Sequence, residues 1–109
     1  MDYVTYEAFK KMDIRIGTIR EIEPVEGTDK LLRCQIDFGE PELRQIISGI
    51  REYYPDYGQL LGKQVLYIVN LEPREIRGFT SHGMLMAVGD EKPIFLVPET
   101  PVLPGSQVR

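Results

Sequence analysis

Residues 13–24 read DIRIGTIREIEP, and this stretch decides the fold. Ile14 and Ile16 alternate with polar neighbours, the period of two that marks a β-strand. Gly17 then intervenes, and Ile19 and Ile22 fall out of phase with the first pair. A glycine that shifts the alternation predicts a bulge and a bent strand. Pro24 ends the strand. Such a bend favours a barrel, because a strand at a barrel corner must change direction.

Downstream, residues 26–29 (EGTD) form a turn cluster. Residues 31–38 (LLRCQIDF) alternate cleanly. Leu32, Cys34, Ile36 and Phe38 face inward, while Arg33, Gln35 and Asp37 face out. Residues 39–42 turn the chain into a third strand over 43–50, closed by Gly49. Residues 51–62 read as a loop with one helical turn, carrying Tyr53, Tyr54 and Tyr57. These tyrosines are read first as a roof over the core with the hydroxyls in water, and second as base-stacking rings. Residues 64–71 form the most apolar strand. Pro73 turns it, Gly78 breaks the returning segment, and 83–88 and 94–97 are the last strands. Pro98, Pro101, Pro104 and Gly105 make the tail extended.

Before the bent strand lies a short helix, about 5–12. Thr5 is its N-cap, Glu7 sits in the first turn, and Lys10 and Lys11 in the last. Tyr6, Phe9 and Met12 recur every three positions on one stripe. So short a helix must dock to be stable. It docks either on its own core or on a second copy of the chain. One short helix with five or six strands at roughly ten-residue spacing predicts an all-β fold, a sandwich or a small barrel. With the bend, a five-stranded Greek-key barrel of the OB type fits the length. The expected organisation is a single domain over 1–109: helix about 5–12, barrel about 13–97, extended segment about 98–109.

A chain of 109 residues is one domain and buries roughly two thirds of its unfolded surface. Its longest apolar run, 65–69, is too short to span a bilayer. The first residues, MDYVTYEAFKK, lack the basic start and apolar centre of a secretory signal. A lone cysteine, Cys34, excludes an internal disulfide and suits a reducing compartment, so cytoplasm is expected. The net charge of −4 argues against coating nucleic acid by bulk charge, but leaves room for a local basic patch.

Catalytic and metal chemistry find no support. His82 is the only histidine, it lies far from Cys34 in sequence, and no zinc-ligand spacing exists. Glu40 and Glu42 sit in a turn without a calcium-type loop. Ser81 and His82 are adjacent in a strand and point to opposite faces, which defeats a nucleophile–base pair. No glycine loop has the phosphate-cradling pattern. No cofactor or metal is expected.

Recognition fares better. Residues 70–88, NLEPREIRGFTSHGMLMAV, offer Asn70, Arg74, Arg77, Ser81 and Met84 in one turn-and-strand segment. Arg33 projects from its strand, with Lys30 just before it. If the barrel brings the two regions together, several cations converge on one rim. Taken singly, each cation is a solvated surface charge. Asn70 alone is a turn-initiating amide. Met84 is read first as core and second as a contact for an unstacked base. The segment is neutral, since Glu72 and Glu75 offset its arginines.

The stretches FKKMDIRIGTI, VEGTDKLL, IISGI and NLEPREIRGFTSHGMLMA resemble successive signatures of the tRNA-binding domain, over residues 9 to about 108. That family includes the C-terminal domain or beta subunit of methionyl-tRNA synthetases, and free-standing structure-specific tRNA-binding proteins. The resemblance implies an OB barrel with a short N-terminal helix and a C-terminal extension. It also implies a cytoplasmic, non-catalytic module for tRNA and a homodimer formed through the added parts, including Tyr6, Phe9 and Met12. A synthetase catalytic domain or subunit is a further expected partner, and no membrane is. RNA contacts carry over to Lys30, Asn70, Arg77, Ser81 and Met84, and more weakly to Arg33 and Arg74. One branch of the fold is the CsaA-type secretion chaperone, which binds precursor peptides. A bare dimerisation module is a third reading. His82 stands where related sequences often carry glutamine, and the acidic net charge departs from the usual nucleic-acid binder.

Overall fold

A five-stranded antiparallel sheet, wrapped into a nearly closed barrel, forms the body of the computed structural model, which describes residues 1–109. The sheet comprises β1 (Ile14–Pro24), β2 (Leu32–Asp37), β3 (Arg44–Ser48), β4 (Gln64–Ile68) and, after two intervening strands, β7 (Met84–Leu85). Their order across the sheet is β3-β2-β1-β4-β7. The intervening strands, β5 (Arg74–Ile76) and β6 (Phe79–Ser81), pair only with each other. So do β8 (Ala87–Val88) and β9 (Ile94–Phe95).

β1 bends the sheet into a barrel by serving two partners. Ile14 to Thr18 face β4, from Ile14↔Ile68 to Thr18↔Gln64. Thr18 to Pro24 face β2, from Thr18↔Asp37 to Pro24↔Leu32. The register shift falls between Ile19 and Glu21, not at Gly17 as the alternation suggests. Gly17 has a different task. A Cβ there would collide with Ile36 and Phe38, so glycine leaves room for these inward side chains of the neighbouring chain segment.

The inward alternation of β2 is as expected, with Leu32, Cys34, Ile36 and Phe38 all buried. They join Ile19, Ile46, Val65 and Tyr67 in one core. Tyr67 meets Phe38 edge-to-face, with ring centroids 5.4 Å apart. Burial raises the Cys34 thiol to about 12 and pushes the Tyr67 phenol up as well.

β3 and the returning chain close the barrel through side-chain and isolated backbone hydrogen bonds rather than through a strand ladder. Ser81 Oγ accepts from Ile47 N at 2.9 Å. Gln45 Nε2 donates to Thr80 O at 2.9 Å, and His82 N donates to Gln45 O at 2.9 Å. The loop before β4 holds a 3-10 turn, Tyr57–Leu60, near the expected place. Tyr54 roofs the core, stacked on Phe95 at 4.9 Å, with its hydroxyl donating to Pro93 O.

The helix α1 (Tyr6–Lys10) is shorter than expected, and Thr5 caps it by accepting from Ala8 N at 3.1 Å. None of its residues is buried, so it does not dock on its own core. Tyr6, Phe9 and Met12 stand 70%, 40% and 42% exposed. The tail is part of the barrel wall. Ile16 N donates to Ser106 O, and Gly105 N and Val108 N donate to Ile16 O and Ile14 O. The Gln64 amide imitates a strand partner, donating to Val102 O and accepting from Val102 N.

Candidate nucleic-acid interface

Between β4 and β7 the chain leaves the barrel as a short two-stranded arm. Its register runs Arg74↔Ser81, Glu75↔Thr80 and Ile76↔Phe79. Thr80 Oγ1 donates across it to Glu75. At the tip, Arg77 and Gly78 both have positive φ, 53° and 85°, the sign pattern of a type I′ hairpin turn. Arginine is an uncommon occupant of that left-handed region. The fold holds it there, exposed, at the point farthest along the arm.

The arm is fixed along its length. Near the tip, Arg33 lies over the Phe79 ring at 4.6 Å and reaches Glu23 at 2.6 Å. Midway, Gln45 holds Thr80, and Gln35 donates to Gln45 at 3.2 Å. Ser81 bonds Ile47 across the seam. At the root, Asp13 N donates to Asn70 Oδ1 at 2.9 Å, and Asn70 Nδ2 donates to Lys11 O at 2.7 Å.

Beneath the arm, where β3 and β7 fail to pair, a cavity of ≈ 280 Å³ opens. Ile47, Ile50, Leu71 and Ile76 give it an apolar lining, and Arg74 and Met84 belong to its wall. Met84 is 47% exposed, so it is not part of the core as first expected. The slot's Ser48–Ile50 wall runs directly into Arg51, whose N donates to Lys30 O at 3.1 Å. Lys30 N in turn donates to Thr28 Oγ1 and Arg51 Nη1 to Thr28 O, which fixes this turn beside the slot. A broader groove of ≈ 730 Å³ lies at the arm's foot, with Glu40, Arg44, Leu71 and His82 among its walls.

The residues singled out from sequence therefore divide. Lys30, Arg74 and Arg77 are exposed and make no ion pair, so their charges face solvent. Met84 borders the slot. Arg33 is paired to Glu23 and packed on Phe79. The hydroxyl of Ser81 is buried in its bond to Ile47, and the amide of Asn70, although exposed, is engaged by Asp13 N and Lys11 O. Sequence reasoning passed over Arg44, Gln45 and Phe79, which hold the arm. Only their positions after folding mark them, since each acts on groups at least 25 residues away.

A family model described as "Putative tRNA binding domain" matches residues 14–107. A methionine–tRNA ligase of Methanoculleus marisnigri is 44% identical over 110 residues, covering 100% of this chain and 16% of that protein. One from Streptococcus pneumoniae is 38% identical over 108 residues, again covering 16% of that protein. Among solved structures, a MetRS-related protein from Pyrococcus horikoshii matches with TM-score 0.86 and 31% identity, over 100% of both chains. The chaperone CsaA from Bacillus anthracis matches with TM-score 0.85 and 29% identity, over 99% of this chain and 100% of that one. The chain spans about a sixth of the length of the curated relatives it matches. It belongs to the tRNA-binding-domain family.

Proposed function

We propose that the seam face of the barrel is the tRNA-binding surface and that it works without catalysis. One observation carries this reading. A slot of ≈ 280 Å³ with a largely apolar lining has Met84 and the unpaired cation Arg74 in its wall, with unpaired Arg77 at the tip of the same arm and unpaired Lys30 on the turn bonded to the adjoining Arg51. The cations neutralise phosphates and set register. The slot takes an exposed, unstacked base, for which the thioether of Met84 is an adaptable apolar surface. Ser81 supports this face from within, Asn70 ties its root to the end of α1, and Arg33 supports the tip.

Likeness to methionine–tRNA ligases over their matched part supports a role beside a synthetase catalytic domain, where the module raises local tRNA concentration. Cytoplasm is the compartment this implies, and no helix is long and apolar enough to cross a membrane. The exposed stripe of Tyr6, Phe9 and Met12 supports association of two copies through α1.

The test is equilibrium binding of bulk tRNA at several salt concentrations. With three cations engaged, the slope of log affinity against log salt is shallow, about −2 to −3. A slope near zero, or equal affinity for a plain RNA duplex, rejects the reading. Likeness to CsaA structures and the apolar slot favour a second reading, a chaperone for unfolded peptides. Replacing Lys30 and Arg77 by alanine weakens tRNA binding under the first reading and leaves peptide binding intact under the second.

A further inference from the structure

We propose that Arg44 is a positioning residue for RNA binding, clasping both feet of the arm while Glu40 holds its guanidinium in place; this rests on the arm's role in tRNA recognition. Arg44 Nη1 donates to Val69 O at 2.7 Å, where the chain leaves the barrel. It also donates to His82 O at 3.2 Å, where the chain returns. The opposite edge of the same guanidinium meets both carboxylate oxygens of Glu40, at 3.1 Å from Nε and 2.7 Å from Nη2. Its face lies over the Phe38 ring at 5.5 Å. The side chain is half-buried.

Only arginine offers donors along two edges of one rigid plane. One edge is matched to a carboxylate here and the other to two backbone carbonyls of the arm. Everything between those carbonyls, including Arg74 and Arg77, is thereby anchored at both feet, in addition to the contacts of Arg33, Gln45 and Ile47 along the arm. Glu40 neutralises the guanidinium, and the hydrogen bonds to Glu40, Val69 O and His82 O leave a single Nη2 hydrogen unengaged, so Arg44 has no free edge with which to grip a phosphate in bidentate fashion. Without the clasp, RNA would have to order the arm during binding, which lowers affinity.

The experiment measures tRNA affinity across salt for the intact protein and for Arg44→Ala, Arg44→Lys and Glu40→Ala, together with amide exchange over residues 69–82. Arg44→Ala is expected to weaken binding about tenfold with an unchanged salt slope, and arm exchange accelerates. Arg44→Lys, which keeps the charge and is checked for a cooperative urea transition, recovers only part of the affinity. Glu40→Ala also weakens binding, although it removes a negative charge that would repel RNA. A salt slope reduced by about 1 in Arg44→Ala makes Arg44 a phosphate contact and overturns the proposal. So does tighter binding by Glu40→Ala, or unchanged arm exchange. If the intact protein binds no tRNA, the RNA reading fails by itself, and arm exchange in Arg44→Ala still decides whether the clasp exists.

Discussion

Ser81 Oγ sits 2.9 Å from the backbone nitrogen of Ile47 and takes its hydrogen, closing the barrel where no strand ladder does. Both residues are buried, so the bond is shielded from water. Replacing Ser81 with alanine leaves the Ile47 N–H without its partner. The expected loss is about 1–3 kcal/mol, read as a lower urea midpoint. An unchanged midpoint would mean that water substitutes for the hydroxyl.

Arg77 occupies a left-handed backbone position at the arm tip. Asparagine before glycine is the preferred pair for such a turn. Arg77→Asn should therefore stabilise the fold by roughly 1 kcal/mol while weakening tRNA binding. It should also flatten the salt slope by about 1. Loss of stability in this variant would show that the arginine side chain helps hold the tip.

Asn70 ties the arm's root to the end of α1 through Asp13 N and Lys11 O. Since no residue of α1 is buried, that tether is the helix's main link to the barrel beyond the chain itself. Asn70→Ala is expected to speed amide exchange at Asp13 and across α1, leaving β2 and β3 protected. Equal acceleration throughout the barrel would assign Asn70 to global stability instead.

Cys34 and Tyr67 set a pH dependence. Their folded-state values lie above the ordinary ones, with Cys34 at about 12 against 9.0, because burial disfavours each anion. The folded state thus retains protons that the unfolded chain gives up. Their contribution is fully present below about pH 9 and is lost as pH rises toward about 12. Urea midpoints should fall between about pH 9 and about pH 12, and less steeply in Cys34→Ala. The native thiol should also resist alkylation at neutral pH and react once urea unfolds the chain.

Phe9→Glu places a charge on the exposed stripe of α1. If two copies associate there, sedimentation of the intact protein reports a dimer and the variant reports a monomer. The same species for both would leave α1 out of self-association.

The strands of the barrel were legible where burial imposes a period. Leu32, Cys34, Ile36 and Phe38 could be read directly, because one face of β2 is core. The bend in β1 was legible too, but its cause was misplaced. Gly17 yields to packing, and the register slips at Arg20, a residue with no special backbone preference. The arm escaped detection as a hairpin for two reasons. Its strands have three residues each, too short to show a period, and its turn carries arginine where turn chemistry favours asparagine. The cations of the interface were visible as residue types. What holds them was not, because Arg44 joins Glu40 to Val69 and His82 across distances that no local pattern encodes.

The division of β1 between two partners has a consequence for how the molecule assembles. β1, β2 and β3 follow one another through short turns, whereas β4 must return from some 50 residues away to find Ile14. Local pairings close at less entropic cost than distant ones. The three-strand meander is therefore predicted to gain protection first in pulsed exchange during refolding, with β4 next and the arm last. Equal early protection at Ile47 and Ile36 would contradict that order. On this path the proposed RNA-binding face comes into being only when the barrel strands are in place, so tRNA binding there by a nascent chain would report that its folding is finished.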